Sequence, residues 1–329
     1  MAQEIKIREY GMLFLNVVTP LHNGSGEGLG VVDNPILRER ATQFPIIQAS
    51  SIKGVLRDAY EEKNSLDVVS LFGPAPSKGQ ENAGAISFGD GQILAFPVRS
   101  VKGCFAWVTS PLVLWRFYEK ICMVKLENIF PKLSKNIKEI YSNPNKAKIC
   151  PSGKDELCMQ YSPGSGLSNQ VQKIFLEEFP IVCEESTKLQ EIAEDIIEKV
   201  YDNNDNFLKN EFTKKLVLLD EDTFRYFITN ATEIVPNIRI GNNGTTEEGS
   251  LRYTEYLPSE SIMYSTLIFD KTRKKDSLLN ATDVMKEFEM NLPLFLQIGG
   301  NETTGKGIVK ISLSTPSGKN LPINEGKVE

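Results

Sequence analysis

Histidine is nearly absent from this sequence, and its scarcity limits the acid–base chemistry that one chain can perform. His22 is the only histidine among 329 residues. General acid–base catalysis often uses histidine because its pKa lies near neutral pH. A catalytic pair of two histidines is therefore excluded within a single chain.

Cysteine is also scarce, odd in number and irregularly spaced, which argues against a disulfide framework or a structural zinc site. No paired C-x-x-C motif occurs, and the one histidine lies far away in the sequence. We expect reduced thiols packed in the core at all five positions, which are Cys104, Cys122, Cys150, Cys158 and Cys183.

Long apolar runs are missing as well. No stretch reaches the length needed to cross a bilayer, and the first residues, MAQEIKIREYG, mix charges with apolar side chains. They lack the apolar core of a signal peptide. We therefore expect a cytoplasmic protein without a membrane partner.

An excess of positive charge is the fourth absence. Lysine and arginine total 37 against 43 aspartate and glutamate residues, which gives a net charge of −6. This balance argues against a protein that coats nucleic acid through a global positive field. A local basic groove remains possible, particularly if other subunits contribute to it.

The chain is long enough to bury a full core, as one domain or two, and its 40% hydrophobic and 24% charged residues are ordinary values for a globular protein. Between about 125 and 215 the composition shifts toward lysine, asparagine and glutamate, which indicates a variable, mostly helical insertion. Patterning predicts strands at 5–18, 86–88, 93–98, 102–108, 261–269 and 308–313, helices at 51–63, 111–124, 188–204 and 279–292, a loop at 64–83 and a turn at 89–91.

The stretch 19–60 concentrates features that favour binding. Glycines recur at every second position from Gly24 to Gly30, so the backbone can turn sharply or let another molecule approach closely. Asp33 follows, and Pro35 favours its display at the end of a loop. A helix then begins at a serine cap formed by Ser50 and Ser51. Lys53 and Arg57 share one of its faces, since they are four residues apart. The alternative is a surface loop before an ordinary amphipathic helix.

Two further blocks stand out. In 232–264, short strands flank the turn-forming GNNGTTEEG, which predicts a projecting hairpin at about 236–256. The segment 299–307, GGNETTGKG, resembles a P-loop but lacks its G-x-x-x-x-G-K-[ST] spacing. It still offers exposed backbone N–H groups and one lysine, which could bind a phosphate. A tight turn without a ligand is the alternative.

Together these pieces resemble the RAMP superfamily of CRISPR-associated RNA-binding proteins, and more narrowly the backbone subunit of type III-B Cmr complexes. The resemblance covers most of the chain outside 125–215, and the matching segments occur in the same order. They are VVDNPILRERATQFPIIQASSIKGVLRD, GAISFGDGQILAFPVRSVKGCFAWVTSPLVLWRF, EGSLRYTEYLP and LQIGGNETTGKGIV.

The resemblance implies an α+β fold in a single domain, with a modified ferredoxin-like (RRM-like) palm, a hairpin thumb and an insertion. It further implies that several copies stack along a CRISPR RNA with other Cmr subunits. Target RNA is then cleaved at regular intervals with a divalent metal, Mg or Mn.

Site residues follow from the matching positions. The resemblance implies that Asp33 is the catalytic and metal-binding carboxylate, that His22 is a second catalytic candidate, and that Glu248, Glu255 and Tyr256 act at the thumb. The basic helix and the glycine loop are predicted to bind RNA through Ser50, Ser51, Lys53, Arg57, Gly299, Gly300, Thr303, Thr304, Gly305, Lys306 and Gly307.

The chemistry leaves three hypotheses open. In the first, the chain is a catalytic backbone subunit that cuts target RNA at Asp33. RNA cleavage can use the adjacent 2′-OH as nucleophile, and an isolated Asp33 is a weak base unless a metal assists it. Asp33 could instead only hold an Asx-turn before Pro35, and the chain would then be a non-catalytic RNA scaffold. An unrelated enzyme that binds a phosphorylated metabolite through 299–307 is the third hypothesis.

Overall fold

The computed structural model of the chain describes residues 8–26, 30–63, 68–74, 82–140, 146–161, 171–201, 205–273 and 278–316. Gly28, the start of the strand predicted at 5–18 and parts of the loop predicted at 64–83 lie outside these ranges. The strands are β1 Glu9–Val17, β2 Ile46–Ile47, β3 Ile86–Phe88, β4 Gly91–Arg99, β5 Phe105–Thr109, β6 Ala147–Ile149, β7 Cys158–Tyr161, β8 Val171–Leu176, β9 Phe179–Glu185, β10 Leu216–Leu218, β11 Glu233–Asn237, β12 Arg252–Tyr256, β13 Ile262–Phe269, β14 Phe295–Gln297 and β15 Ile308–Ser314. The helices are α1 Ala49–Glu62, α2 Val68–Phe72, α3 Pro111–Met123, α4 Pro131–Asn136, α5 Lys154–Leu157, α6 Thr187–Val200, α7 Asn206–Lys215, α8 Glu221–Asn230 and α9 Ala281–Asn291.

One large mixed sheet organises the molecule, with the strand order β14-β15-β1-β13-β4-β5-β10-β6-β9-β8-β7. β1 lies near one end of this order, between β13 and β15, and pairs antiparallel with both. The run Met12–Leu15 is fully buried, because both faces of the sheet are covered at this point. The predicted α+β fold class is confirmed. No helix in the described ranges is both long and apolar enough to span a bilayer.

The start of α1 differs from the prediction. The helix begins at Ala49 after Gln48, which makes no side-chain cap, so the predicted serine cap is wrong. The Asp90 carboxylate accepts a hydrogen bond from the Ala49 N–H at 2.8 Å and satisfies one of the open donors of the first turn. Ser50 and Ser51 therefore lie within the helix itself.

The loop predicted at 64–83 contains the short helix α2. Its apolar residues overcome the turn-forming tendency of the surrounding sequence, because Leu71 and Phe72 are buried. The Phe72 ring packs edge-on against Tyr60 of α1, with ring centroids 5.1 Å apart. Tertiary packing rather than local propensity explains this element.

The Gly-Asp-Gly segment 89–91 separates two strands, as predicted, but it does not form a hairpin turn. Both β3 and β4 pair with β13 and not with each other. Between them the Gly89 N–H donates to Thr266 O at 2.8 Å. The segment therefore shifts the chain along one partner strand and presents Asp90 to α1.

The region 125–215 holds helices and also strands that patterning did not predict. In it, α6 packs against α4 and α7, and its predicted apolar face is buried. Strands β6, β9, β8 and β7 extend the central sheet through β10, which pairs with β5. The Ser312 hydroxyl of β15 donates to Val200 O at 2.9 Å, so the end of α6 also contacts the palm.

The predicted hairpin is present and forms a two-stranded sheet of its own. β11 and β12 pair from Glu233↔Tyr256 to Asn237↔Arg252. Beyond this base the side chains of Ile238 and Ile240 are 54% and 65% exposed. The far part of the hairpin therefore offers apolar surface that its own core does not cover.

Candidate functional site

Two glycine-rich loops from opposite ends of the sequence meet at one place. The Gly300 N–H donates to His22 O at 2.9 Å, and the Gly307 N–H donates to Pro20 O at 3.0 Å. Gly299 has a φ of +87°, and a Cβ at this position would lie 2.2 Å from His22 O. Only glycine fits there, so these contacts fix the loop 299–307 against 20–22.

The loop 299–307 presents backbone donors to solvent. Its later amides point inward: the Thr304 N–H donates to Asn301 O at 3.1 Å and the Gly305 N–H to Glu302 O at 2.8 Å. Among the described residues, the N–H groups of Asn301, Glu302 and Thr303 have no acceptor, and all three residues are exposed. Successive free N–H groups of this kind form an anion-binding concavity.

Tyr256 joins this loop to the base of the hairpin. The Asn301 Nδ2 donates to the Tyr256 hydroxyl at 2.8 Å, and Lys306 Nζ lies 5.1 Å from the centre of the tyrosine ring. Burial raises the pKa of Tyr256, although the Asn301 hydrogen bond opposes the shift, so the phenol stays protonated at neutral pH. Tyr256 is only 3% exposed, which makes it an internal support rather than a surface residue of the thumb.

His22 packs beside Tyr256, with ring centroids 5.7 Å apart. Its Nδ1 lies 2.8 Å from Glu255 O. Because a carbonyl can only accept, Nδ1 is the donor in this contact. A Cβ at Gly24 would lie 2.6 Å from Nε2, so the first glycine loop closes over that edge of the ring.

Asp33 lies at the base of the hairpin. Its Oδ2 accepts a hydrogen bond from the Tyr253 N–H of β12 at 2.7 Å. Backbone bonds from Asn34 N to Tyr253 O and from Glu255 N to Asn34 O, both 3.0 Å, run this segment alongside β12. The carboxylate is thus held by a distant strand and not by the local turn before Pro35.

Glu255 is the most constrained carboxylate of the site. It forms a buried ion pair with Arg38, in which Nη2 and Oε1 are 2.5 Å apart. It also accepts from the Ile36 N–H and the Thr232 hydroxyl, each at 2.9 Å. Glu255 therefore connects the Asp33 segment to both strands of the hairpin from inside the protein. Glu255 thus lies at the base of the hairpin, whereas Glu248 lies exposed in the hairpin loop, and the roles predicted for both at the thumb stay predictions.

Arg38 was not predicted from the sequence. Its Nη1 donates to Gln43 O and to Ile228 O, the latter near the end of α8, at 2.9 Å each. We name the ion pair of Arg38 and Glu255, with these backbone partners, the clamp. The charged run Arg38-Glu39-Arg40 is indistinguishable from a solvated surface in the sequence, and only the long-range partners reveal the clamp.

Lys53 and Arg57, the two basic residues predicted to share one face of α1, differ in their contacts. Lys53 is half-buried and forms no ion pair with any residue that the structure describes. Arg57 donates to Gly73 O at 3.0 Å, to Pro74 O at 3.1 Å and to Glu61 at 2.8 Å. This geometry favours a structural role for Arg57 over the predicted RNA contact. Near the start of the helix, Ser51 Oγ lies 3.5 Å from Asn23 Oδ1, beside the first glycine loop.

Among the described residues, the surroundings of Asp33 do not form a ready site for a divalent cation. In the described ranges no group of three or more His, Cys, Asp or Glu side chains is arranged to hold a metal ion. Magnesium prefers six oxygen ligands, and one oxygen of Asp33 is already used by the Tyr253 N–H. The residues present do not supply a metal centre by themselves, so metal dependence stays a prediction.

Comparisons with known proteins agree with this geometry. The sequence model of the RAMP superfamily matches residues 14–310. The chain is 36% identical to the CRISPR system Cmr endoribonuclease Cmr4 of Pyrococcus furiosus, over 91% of this chain and 94% of that protein. It is 26% identical to the CRISPR system CMR subunit Cmr4 of Saccharolobus solfataricus, over 91% and 94% of the two chains.

Solved structures show the same fold. The crystal structure of oligomeric Cmr4 from Pyrococcus furiosus superposes with a TM-score of 0.66 at 31% identity, covering 93% of this chain and 98% of that one. A chain of the type III-B Cmr-beta complex bound to cognate target RNA superposes with a TM-score of 0.69 at 21% identity, covering 92% and 96%. These matches bear out the resemblance first drawn from the sequence: the chain belongs to the RAMP superfamily and, within it, to the family of the Cmr4 proteins.

Proposed function

We propose that this chain is the repeating backbone subunit of a type III-B CRISPR effector, and that it binds CRISPR RNA and cuts complementary target RNA at Asp33. Copies of the chain and other Cmr subunits are its protein partners, and the cytoplasm is its place of action. The observation that carries the proposal is the Asp33 carboxylate, which a hairpin-strand N–H holds at the junction of the palm and the thumb.

The geometry supports a division of labour between the loops. The free N–H groups of 301–303, with Lys306 beside them, would bind RNA phosphates, and Lys53 would add a positive charge near the start of α1. The exposed apolar part of the hairpin would lie against the RNA and the neighbouring copy, as in a regular stack. His22 keeps the two glycine loops together, and a direct catalytic role for its Nε2 stays a prediction.

Cleavage would proceed by attack of the adjacent 2′-OH on the phosphorus atom. Asp33 would accept the hydroxyl proton as the general base, and a distorted RNA would place the 2′-oxygen in line with the leaving 5′-oxygen. A lone aspartate carboxylate is a weak base for a hydroxyl proton. Slow, position-dependent cutting fits this chemistry.

The decisive experiment is target cleavage by a complex assembled only from Asp33→Asn subunits. Asparagine keeps the shape and still accepts the Tyr253 hydrogen bond through its amide oxygen, but it cannot take up the proton. We expect cleavage to fall by at least about a hundredfold, as for loss of a general base. Guide and target binding should stay unchanged.

Asp222→Asn is the matched control, because Asp222 is an exposed aspartate on α8. It should cut at the wild-type rate. The same assay with EDTA tests the predicted need for Mg or Mn. Full-rate cutting by the Asp33→Asn complex would move the active site elsewhere and leave the chain as an RNA scaffold.

A further inference from the structure

Cys158 and Cys183 are 25 residues apart in the sequence but are neighbours in the fold. The Sγ atoms of Cys158 at the start of β7 and Cys183 in β9 are 3.2 Å apart and share a hydrogen bond. Both residues are nearly buried, with 8% and 6% exposure. The sequence predicted reduced thiols packed in the core, and the fold brings these two buried thiols into contact.

The surroundings of the pair distinguish its two members. The Cys183 hydrogen bond, helped by the positive charge of Lys102, lowers the pKa of the Cys158 thiol. The same hydrogen bond, with burial, raises the pKa of Cys183. Lys102 is held in place because its Nζ donates to Cys158 O at 3.1 Å. Cys158 is therefore the more nucleophilic sulfur and Cys183 its proton-bearing partner.

We propose that Cys158 and Cys183 form a reversible intramolecular disulfide when the protein meets a peroxide. The Cys158 thiolate attacks one peroxide oxygen, the O–O bond breaks, and a sulfenic acid and one water result. The Cys183 sulfur then attacks the Cys158 sulfur, which forms the S–S bond and expels the sulfenic oxygen as a second water. Two thiols are oxidised by two electrons, and one hydrogen peroxide is reduced.

Contact between the sulfurs makes the second step favourable. A disulfide bond is about 2.05 Å long, so the sulfurs must approach by about 1.2 Å, and β7 and β9 must also draw together because β8 lies between them. Closure would link β7 to β9 across β8 and restrain the unfolded chain between the two cysteines. The bond would therefore stabilise the far end of the extended sheet without contacting Asp33 or the glycine loops.

The other cysteines provide internal comparisons. Burial raises the pKa of Cys150 to about 12, which makes this thiol unreactive. Cys104 is exposed and Cys122 is half-buried, and neither has a cysteine neighbour in the described part of the chain. Peroxide can oxidise these two thiols one at a time, but they offer no partner for an internal bridge.

The test is peroxide treatment of the full chain carrying Cys104→Ser and Cys122→Ser, followed by alkylation and peptide mass spectrometry. We expect one linked pair of peptides containing 158 and 183, lighter by two hydrogens, which dithiothreitol separates again. The melting temperature should rise by a few degrees on oxidation and return to its starting value on reduction.

Cys158→Ser and Cys183→Ser in the same background are the controls. Each should abolish the linked peptides and the thermal shift, and Cys183→Ser should leave a sulfenic acid on Cys158 that dimedone traps. The proposal is overturned if peroxide carries Cys158 to the sulfonic acid without a linked peptide in the parent protein. Full alkylation of both thiols after treatment would overturn it equally.

Discussion

Single residues at the junction of the glycine loops act mainly through their fit to the backbone around His22. The added Cβ at Gly299 would meet His22 O, and the one at Gly24 would meet Nε2 of the same ring. The Tyr256 ring packs beside the histidine ring, and Asn301 of the second loop donates a hydrogen bond to the Tyr256 hydroxyl. Two glycine positions and the Tyr256 ring therefore fix the place of His22.

Gly299→Ala should damage RNA binding by displacing the loop 299–307. Its Cβ would lie 2.2 Å from His22 O in a backbone conformation that L-residues disfavour. The left-handed conformation alone costs about 1–2 kcal/mol, and the overlap forces a movement of the loop on top of that. We expect a lower melting temperature and at least a tenfold loss of guide affinity in a filter-binding titration.

Gly305→Ala separates strain from overlap in the same loop. Gly305 also has a positive φ, +74°, but a Cβ there meets no atom of the described chain within 4 Å. The Gly305→Ala variant should lose only the stability that the left-handed backbone conformation costs, and it should keep most of the guide affinity. Equal losses in the two variants would show that the contact with His22 O does not organise the site.

Among the elements, the hairpin depends on the clamp at its base. Arg38 and Glu255 are both largely buried, and their backbone partners tie the Asp33 segment, β12 and the end of α8 together. Two opposite charges in such a place are stable as a pair, while either alone is unfavourable. The hairpin therefore has a rigid base and an exposed far part.

Arg38→Met should destabilise the protein by about 3–5 kcal/mol, because it leaves the Glu255 carboxylate buried and unpaired. Urea unfolding measures the change. In the double variant Arg38→Met with Glu255→Gln, the orphan charge is gone and the amide oxygen still accepts from the Ile36 N–H. We expect the double variant to recover at least about half of the lost stability. Additive losses in the two single variants and the double variant would mean that the clamp is not a coupled pair.

Elements and residues differ in how far the sequence predicts them. The sequence predicts the strands β1 and β13, the helices α3 and α9 and the hairpin. The signals are the periodicity of apolar residues and the positions of proline and glycine. The helix α2 and the strands in 125–215 are not predicted, since tertiary burial decides them. Among site residues, the sequence predicts a displayed Asp33 but not the Tyr253 N–H that holds it. The sequence likewise cannot show that Arg57 donates to backbone carbonyls of its own chain. Every residue has such a carbonyl, so the identity of the side chain does not reveal the contact.

The whole molecule combines a net negative charge with a local set of free positive groups. The dependence of RNA affinity on salt concentration measures how many RNA phosphates these groups neutralise, because each contact releases counterions. The chain carries a charge of −6, so we expect RNA binding to come from a local basic surface that includes Lys53 and Lys306 and not from a general field. Affinity should therefore fall steeply with salt despite the acidic composition.

Lys53→Ala should reduce the slope of log affinity against log salt by about 0.7, the value for one phosphate contact on a single strand. Arg57→Ala is its matched partner on the same helix. It should leave the slope unchanged and lower stability by about 1–2 kcal/mol, because two carbonyl oxygens lose their donor. If Arg57→Ala changed the slope and Lys53→Ala did not, the predicted RNA-binding face of α1 would be reversed.

The meeting of the two glycine loops also bears on biosynthesis. Residues 20–22 leave the ribosome early, but their partners Gly300 and Gly307 are among the last described residues to be made. The junction around His22 can therefore close only after residues 300–307 have been translated. A nascent chain that ends before Gly300 lacks the loop contacts that complete the predicted RNA-binding surface. On the proposed function, we therefore expect guide RNA to bind only chains that have been synthesised through Gly307.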